Sequence, residues 1–376
     1  MSPNPISEAL SRSGSKPFLD LMNSNPTQCE FDYPQTLLEP LGLPHSLVYE
    51  PLSFGSEAAR EALAGYLASK GQKVKAQNLL LTASTSEAYS YLFKLLGNPG
   101  DSFLIPSPGY PLLEHLLRLE GLKAIPYPLK VAANWPLELE KVERAITSRC
   151  KGLIVVNPNN PTGCFLSPND QSAIIKLCEK HGLAYISDEV FSDFAYPPFS
   201  LSDCTNSQGL SFRLGGLSKS LGLPQLKLSW VAMEGPEEVL KESRERLELI
   251  ADTYLSVNTP VQIALKELLQ FAPDFQKEVL SRVSSNRLIL ERNLKEVKEV
   301  KVWPAQGGWY ALVEITKQEV LEEALIIELL EKHQVFVQPG AFYDFPSGCF
   351  LVLSLLGPAN LFVEGVSRLK KALSGL

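Results

Sequence analysis

Between residues 78 and 233, short apolar runs alternate with stretches of helical period, and no other feature constrains the fold as much. The runs lie at 78–82, 102–106, 123–127, 152–157, 183–187, 210–214 and 228–233, with almost no polar interruption. Strands of that kind need cover on both faces. They predict a mainly parallel seven-stranded sheet sandwiched by helices, in an α/β fold. The helical stretches that would cover it fall at 84–96, 110–120, 137–147 and 168–181, and an amphipathic helix at 56–70 precedes them. In such sheets ligands bind beyond the carboxyl ends of the strands, so the loops there are where chemistry is expected.

The flanking regions read differently. Residues 1–45 are rich in Pro, Ser and Asn and predict an irregular arm, with turn chemistry at 23–27. After the sheet come helices at 236–252 and 260–271, then a long polar-faced helix at 275–300. The chain ends in strands at 302, 309–315, 335–338 and 350–355 and helices at 319–333 and 359–373, which read as a smaller α/β domain. The expected organisation is an arm (1–45) belonging to the small domain, a large domain (46–272) and the small domain proper (273–376). A net charge of −7 argues against a nucleic-acid partner. The six cysteines are scattered without a C-x-x-C, which argues against a bound metal or a disulfide scaffold and suits a reducing cytoplasm. No apolar run approaches the length of a membrane span, so a soluble, cytoplasmic protein is expected.

The loops after the strands carry unusual residues. The first strand leads into ASTSEA, where Ser84 and Thr85 open a helix whose free N–H groups suit a phosphate. Ser84-x-x-Glu87 is equally a capping box, and both readings stand. PSPGYP places Tyr110 among residues that fix the backbone, as a flat ligand needs for stacking, although a plain turn also fits. NPNNPTG, residues 157–163, specifies a rigid loop that presents amide side chains. Asp188 ends a buried strand and therefore calls for a cation or a donor, with a helix cap as the alternative. In GGLSKSLGLPQLKLSW, Ser218 and Lys219 precede an apolar run. A lysine held against apolar surroundings loses charge and gains nucleophilicity.

YEPLSFGSEAAR, TASTSEA, PGYP, NPNNPTG, SDEVF and LSKSLGLPQLKLSW occur in the order and at about the spacings of the class I/II aminotransferases. The chain resembles these pyridoxal-phosphate enzymes of fold type I from about Asp20 onward. The resemblance implies a transaminase using pyridoxal 5′-phosphate to move an amino group from a small-molecule amino donor to an oxo acceptor. It implies that Lys219 bonds the cofactor aldehyde and later moves a proton, and that Asp188 pairs with the ring nitrogen. Asn160 would hydrogen-bond the ring hydroxyl and Tyr110 would stack on the ring. Ser84, Thr85, Ser218 and Lys227 would approach the phosphate. Tyr49 would reach the phosphate of a neighbouring subunit, which implies a homodimer with shared active sites.

The departures are specific. Phe191 stands where the family has a tyrosine, Gly216 where it has a serine, and Lys227 where it has an arginine. Val352 stands where an arginine usually binds the substrate carboxylate. In a parallel-packed strand over 350–355 it would share a face with Phe350 and Ser354. Substrate recognition is therefore expected to be atypical, with Lys227, Asn23 or Asn25 as candidates to replace the arginine. The same departure keeps a lyase, a decarboxylase or a cyclising synthase on this fold as an alternative. A non-catalytic pyridoxal-phosphate protein is a further one.

Overall fold

A computed structural model of the chain describes residues 4–13, 17–201 and 208–376. Cys204 lies outside the described residues. The other five cysteines are free and buried. No group of three or more metal-ligating side chains is found among the described residues.

In chain order the elements begin with α1 (Pro5–Ser13), β1 (Leu19–Asp20), α2 (Glu57–Ser69), β2 (Leu79–Thr82), α3 (Thr85–Leu96) and β3 (Ser102–Ser107). There follow α4 (Leu112–Leu119), β4 (Lys123–Pro128), α5 (Leu139–Ala145), β5 (Cys150–Val156), α6 (Pro168–His181) and β6 (Ala184–Asp188). Next are β7 (Ser211–Gly216), α7 (Leu217–Ser220), β8 (Ser229–Glu234), α8 (Glu237–Tyr254) and α9 (Thr259–Leu294). The chain closes with β9 (Val300–Val302), β10 (Tyr310–Ile315), α10 (Glu322–His333), β11 (Val335–Phe336), β12 (Gln338–Pro339), β13 (Cys349–Ser354) and α11 (Ala359–Leu373).

All seven apolar runs became strands of one sheet, in the order β2-β8-β7-β6-β5-β3-β4. Every pairing is parallel except those of β8, which runs against both β2 and β7. The carboxyl ends of the other six strands therefore share one edge. The first residue of β8, Ser229, joins them there, in register with Thr82 and with Gly216. Three apolar clusters cover the sheet: one includes Tyr89, Phe93, Phe103 and Phe212, a second Leu63, Leu79, Trp230 and Leu265, and a third Leu104, Leu153, Val155 and Tyr185.

The second body is a four-stranded sheet, β12-β13-β10-β9. Its strand β13 is antiparallel to both neighbours, which corrects the parallel packing expected for 350–355. The alternation of faces still holds, because Leu351 and Leu353 join one apolar cluster while Phe350 and Val352 join another. The N-terminal arm belongs with this body. β1 pairs in parallel with β11, and Ile6 and Ala9 are buried in the same cluster as Leu325 and Leu329.

Two expectations are corrected. The arm is not wholly irregular, because α1 forms at its start with Asn4 Oδ1 accepting the Ile6 N–H at 2.9 Å. Asn4-Pro5 is a helix-start signal, with a capping acceptor and a proline in the first turn. The helices expected at 260–271 and 275–300 are one helix, α9, of 36 residues with Pro273 inside it. Proline removes one intrahelical hydrogen bond, but Ala272 and Phe275 are both fully buried beside it, so packing carries the helix through.

Candidate active site

Lys219, Asp188, Asn160, Tyr110, Thr85 and Ser218 come from five separate loops and line one cavity at the shared strand edge. Asp188 is the last residue of β6, and Lys219 sits in the single turn α7 that follows β7. Thr85 opens α3, which Ser84 caps, with Glu87 reaching back one residue beyond the cap. Ser84 Oγ accepts the Glu87 N–H at 3.1 Å, and the Glu87 carboxylate accepts the Ala83 N–H at 2.7 Å.

The loop 157–163 is held largely by its own side chains. Asn159 donates to the Pro108 carbonyl at 3.2 Å and accepts from the Thr162 hydroxyl at 2.9 Å. Asn157 Oδ1 accepts the Leu166 N–H at 3.0 Å. Asn160 is left facing the cavity, with its Oδ1 buried and without a partner among the described residues. A buried amide oxygen without a partner that faces a cavity is free to accept from a ligand.

Electrostatics single out two groups. The Lys219 ammonium is buried against aromatic faces, with Nζ 4.9 Å from the Trp309 ring centroid and 5.4 Å from that of Phe191. Burial pushes its pKa down to about 8, and the nearby Asp188 carboxylate only partly opposes the shift. Asp188 accepts the Tyr89 hydroxyl at 2.9 Å and the Val190 N–H at 3.2 Å. Burial nevertheless raises its pKa to about 6, against the lowering effect of those bonds and of Lys219. Paired shifts of this kind, in a cleft, mark a reactive site rather than a structural ion pair.

Other residues named from the sequence lie elsewhere. Lys227 is exposed, with a left-handed backbone at φ 54°, and does not line the cavity. Tyr49 is 68% exposed on the outer surface. Val352 is 1% exposed, opposite Leu312 and Gln338 in the small sheet, and also stays out of the cavity. Asn23 and Asn25 are engaged locally, their side-chain oxygens accepting the Asn25 and Thr27 N–H groups.

Two lining residues had not been singled out. Tyr310, the first residue of β10, reaches the cavity from the small sheet, and Ser229 reaches it from β8. Tyr310 closes the run PAQGGWY, residues 304–310. Ser229 lies within GGLSKSLGLPQLKLSW, but its place at the site was not readable, because an antiparallel strand brings its beginning, not its end, to the ligand edge. A second cavity continues from the first through Tyr110, Asn160 and Tyr310, and is lined by Gln338, Tyr343, His115, Glu114 and Asp344. Tyr343 donates its hydroxyl to Gln338 Oε1. Lys219 is the only lysine or arginine among the described residues lining either cavity.

The profile of the family described as aminotransferase class I and II matches residues 49–352. Tyrosine aminotransferase of Mus musculus is 28% identical over 86% of this chain and 72% of its own length. Glutamate-pyruvate aminotransferase of Haemophilus influenzae is 25% identical over 97% of this chain and 92% of its own. Among solved structures, alanine aminotransferase from Pyrococcus furiosus superposes with a TM-score of 0.90 at 25% identity, covering 99% of this chain and 95% of that one.

Proposed function

The chain belongs to the class I and II aminotransferases, and from that premise we propose how its own residues carry the reaction. It is a pyridoxal-phosphate-dependent transaminase acting on small-molecule amino and oxo substrates. When bound, the cofactor supplies an aldehyde and an electron-accepting ring that stabilises negative charge at the substrate α-carbon. The residues present fit such a group. The cavity holds a deprotonatable amine, a buried carboxylate, an aromatic face and an amide oxygen without a partner.

Lys219 Nζ would hold the cofactor through its aldehyde and, once free, would take a proton from the substrate α-carbon and return it two atoms away, as a general base and then acid. Its lowered pKa carries this reading, because it leaves a usable fraction of neutral amine near pH 7. Asp188, oriented by Tyr89 and the Val190 N–H, would hold the proton on the ring nitrogen. Tyr110 would stack on the ring, and the Asn160 amide would meet its hydroxyl. Thr85 and Ser218 would face the phosphate, with Ser84 fixing the first turn of α3. Phe191 and Trp309 keep water from the amine.

Val352 leaves the substrate carboxylate without an arginine from β13. Recognition there falls to neutral groups, Gln338, Tyr343 and Tyr310, which border the continuous cavity. The exposed apolar run Leu47, Val48, Tyr49 and Leu52 supports a homodimer in which Tyr49 acts toward the phosphate of the neighbouring subunit. We place the large domain at 46–272, the small domain at 273–376 with the arm 1–45, and the enzyme in the cytoplasm. No described helix is long and apolar enough to cross a membrane.

The test is a half-reaction. Holoenzyme mixed with an amino donor alone should shift the cofactor absorbance to that of its amine form and release one oxo product per site. Release of ammonia or carbon dioxide with the spectrum unchanged would contradict transfer.

A further inference from the structure

We infer that Ser229 supplies a hydroxyl contact to the cofactor phosphate. The inference rests on the pyridoxal-phosphate reading above and adds a residue which that reading lacks. Because β8 runs against its neighbours, Ser229 lies at the ligand edge, in register with Gly216 on one side and Thr82 on the other. It is 2% exposed and lines the same cavity as Thr85, Ser218 and Lys219. Its hydroxyl makes no hydrogen bond with any described residue. Buried hydroxyls almost always have a partner, so this one is available to a ligand.

Steric exclusion links the two positions. A Cβ built on Gly216 would stand 2.3 Å from Ser229 Oγ, nearer than any side chain approaches another. A side chain at 216 would therefore displace the Ser229 hydroxyl from the place it holds. Glycine at 216 makes the room. The other candidates on this edge are less available. Lys227 is outside the cavity, and the Ser84 oxygen already accepts the Glu87 N–H. An unpartnered O–H beside a helix start is suited to donate to a phosphate oxygen, and a hydrogen bond to a charged acceptor is stronger than a neutral one.

The test compares two probes on apoenzyme, pyridoxal 5′-phosphate and pyridoxal, which lacks only the phosphate, with affinities read by absorbance and fluorescence quenching. Ser229→Ala should weaken pyridoxal phosphate by roughly tenfold or more, the scale of one hydrogen bond to a charged group, and change pyridoxal by less than about twofold. Ser229→Cys keeps the volume but donates weakly, and should show the same selective loss. The exchange variant Gly216→Ser/Ser229→Gly should return most of the affinity, whereas Gly216→Ser alone should not. Equal affinities of wild type and Ser229→Ala for both probes would overturn the inference. Equal losses for both probes would also overturn it, because they assign Ser229 to packing. If the wild type itself binds pyridoxal phosphate no better than pyridoxal, the cofactor reading fails and takes this inference with it.

Discussion

The titration of Lys219 can be measured without any substrate. Its pKa falls from 10.5 to about 8 because the cavity wall removes water from the ammonium. At about 1.4 kcal/mol per unit, holding the charged form there costs about 3 kcal/mol relative to water. At pH 7 about one apoenzyme amine in ten is then neutral, against about one in three thousand for an unshifted lysine. A small acylating reagent applied across pH 6–11, with labelling of the Lys219 peptide followed by mass spectrometry, should give a midpoint near 8. Asp188→Asn removes the one charge that raises this pKa, so its midpoint should fall further. The sign for stability follows. The unfolded chain binds more protons than the native one between pH 8 and 10.5, so the penalty is full below 8 and is relieved as pH rises toward 10.5. Lys219→Met apoenzyme should therefore be more stable than wild type at pH 7, by at most about 3 kcal/mol, with the gain shrinking as pH rises from 8 to 10.5. A Lys219 midpoint at or above 10, or an upward shift in Asp188→Asn, would refute the reasoning.

Gly222 has φ 63°, and a Cβ there would lie 2.2 Å from Phe275 Cζ and 2.5 Å from the Tyr33 hydroxyl. Gly222→Ala should lose about 2–5 kcal/mol in chemical denaturation, from left-handed strain plus overpacking; a loss under 1 kcal/mol would contradict the packing described. Converting the donor's carboxylate to its amide should change kcat/KM by less than about tenfold, because no guanidinium lines either cavity among the described residues. A preference for the acid above about a hundredfold would show a cationic group acting on the carboxylate.

The large sheet was legible because buried parallel strands leave continuous apolar runs, and all seven were placed. Lys219, Asp188, Asn160, Tyr110 and Thr85 were legible because strand ends point at ligands. What the sequence concealed follows from packing. Pro273 reads as a break, yet burial of Ala272 and Phe275 holds α9 together across it. Ser229 was hidden because β8 reverses direction, which only its hydrogen-bonded neighbours decide. Lys227 shows the converse. Its place eight residues after Lys219 was readable, but its left-handed backbone and exposure were not. Spacing along the chain does not determine where a side chain ends up after a turn.

The claim that Lys219 is the residue that bonds the cofactor is tested most directly by trapping. Holoenzyme reduced with borohydride, digested and mapped by mass spectrometry should carry the pyridoxyl-phosphate adduct on Lys219 alone, and Lys219→Ala treated in the same way should carry none. An adduct on any other lysine of the wild type, or an undiminished adduct in Lys219→Ala, would contradict it.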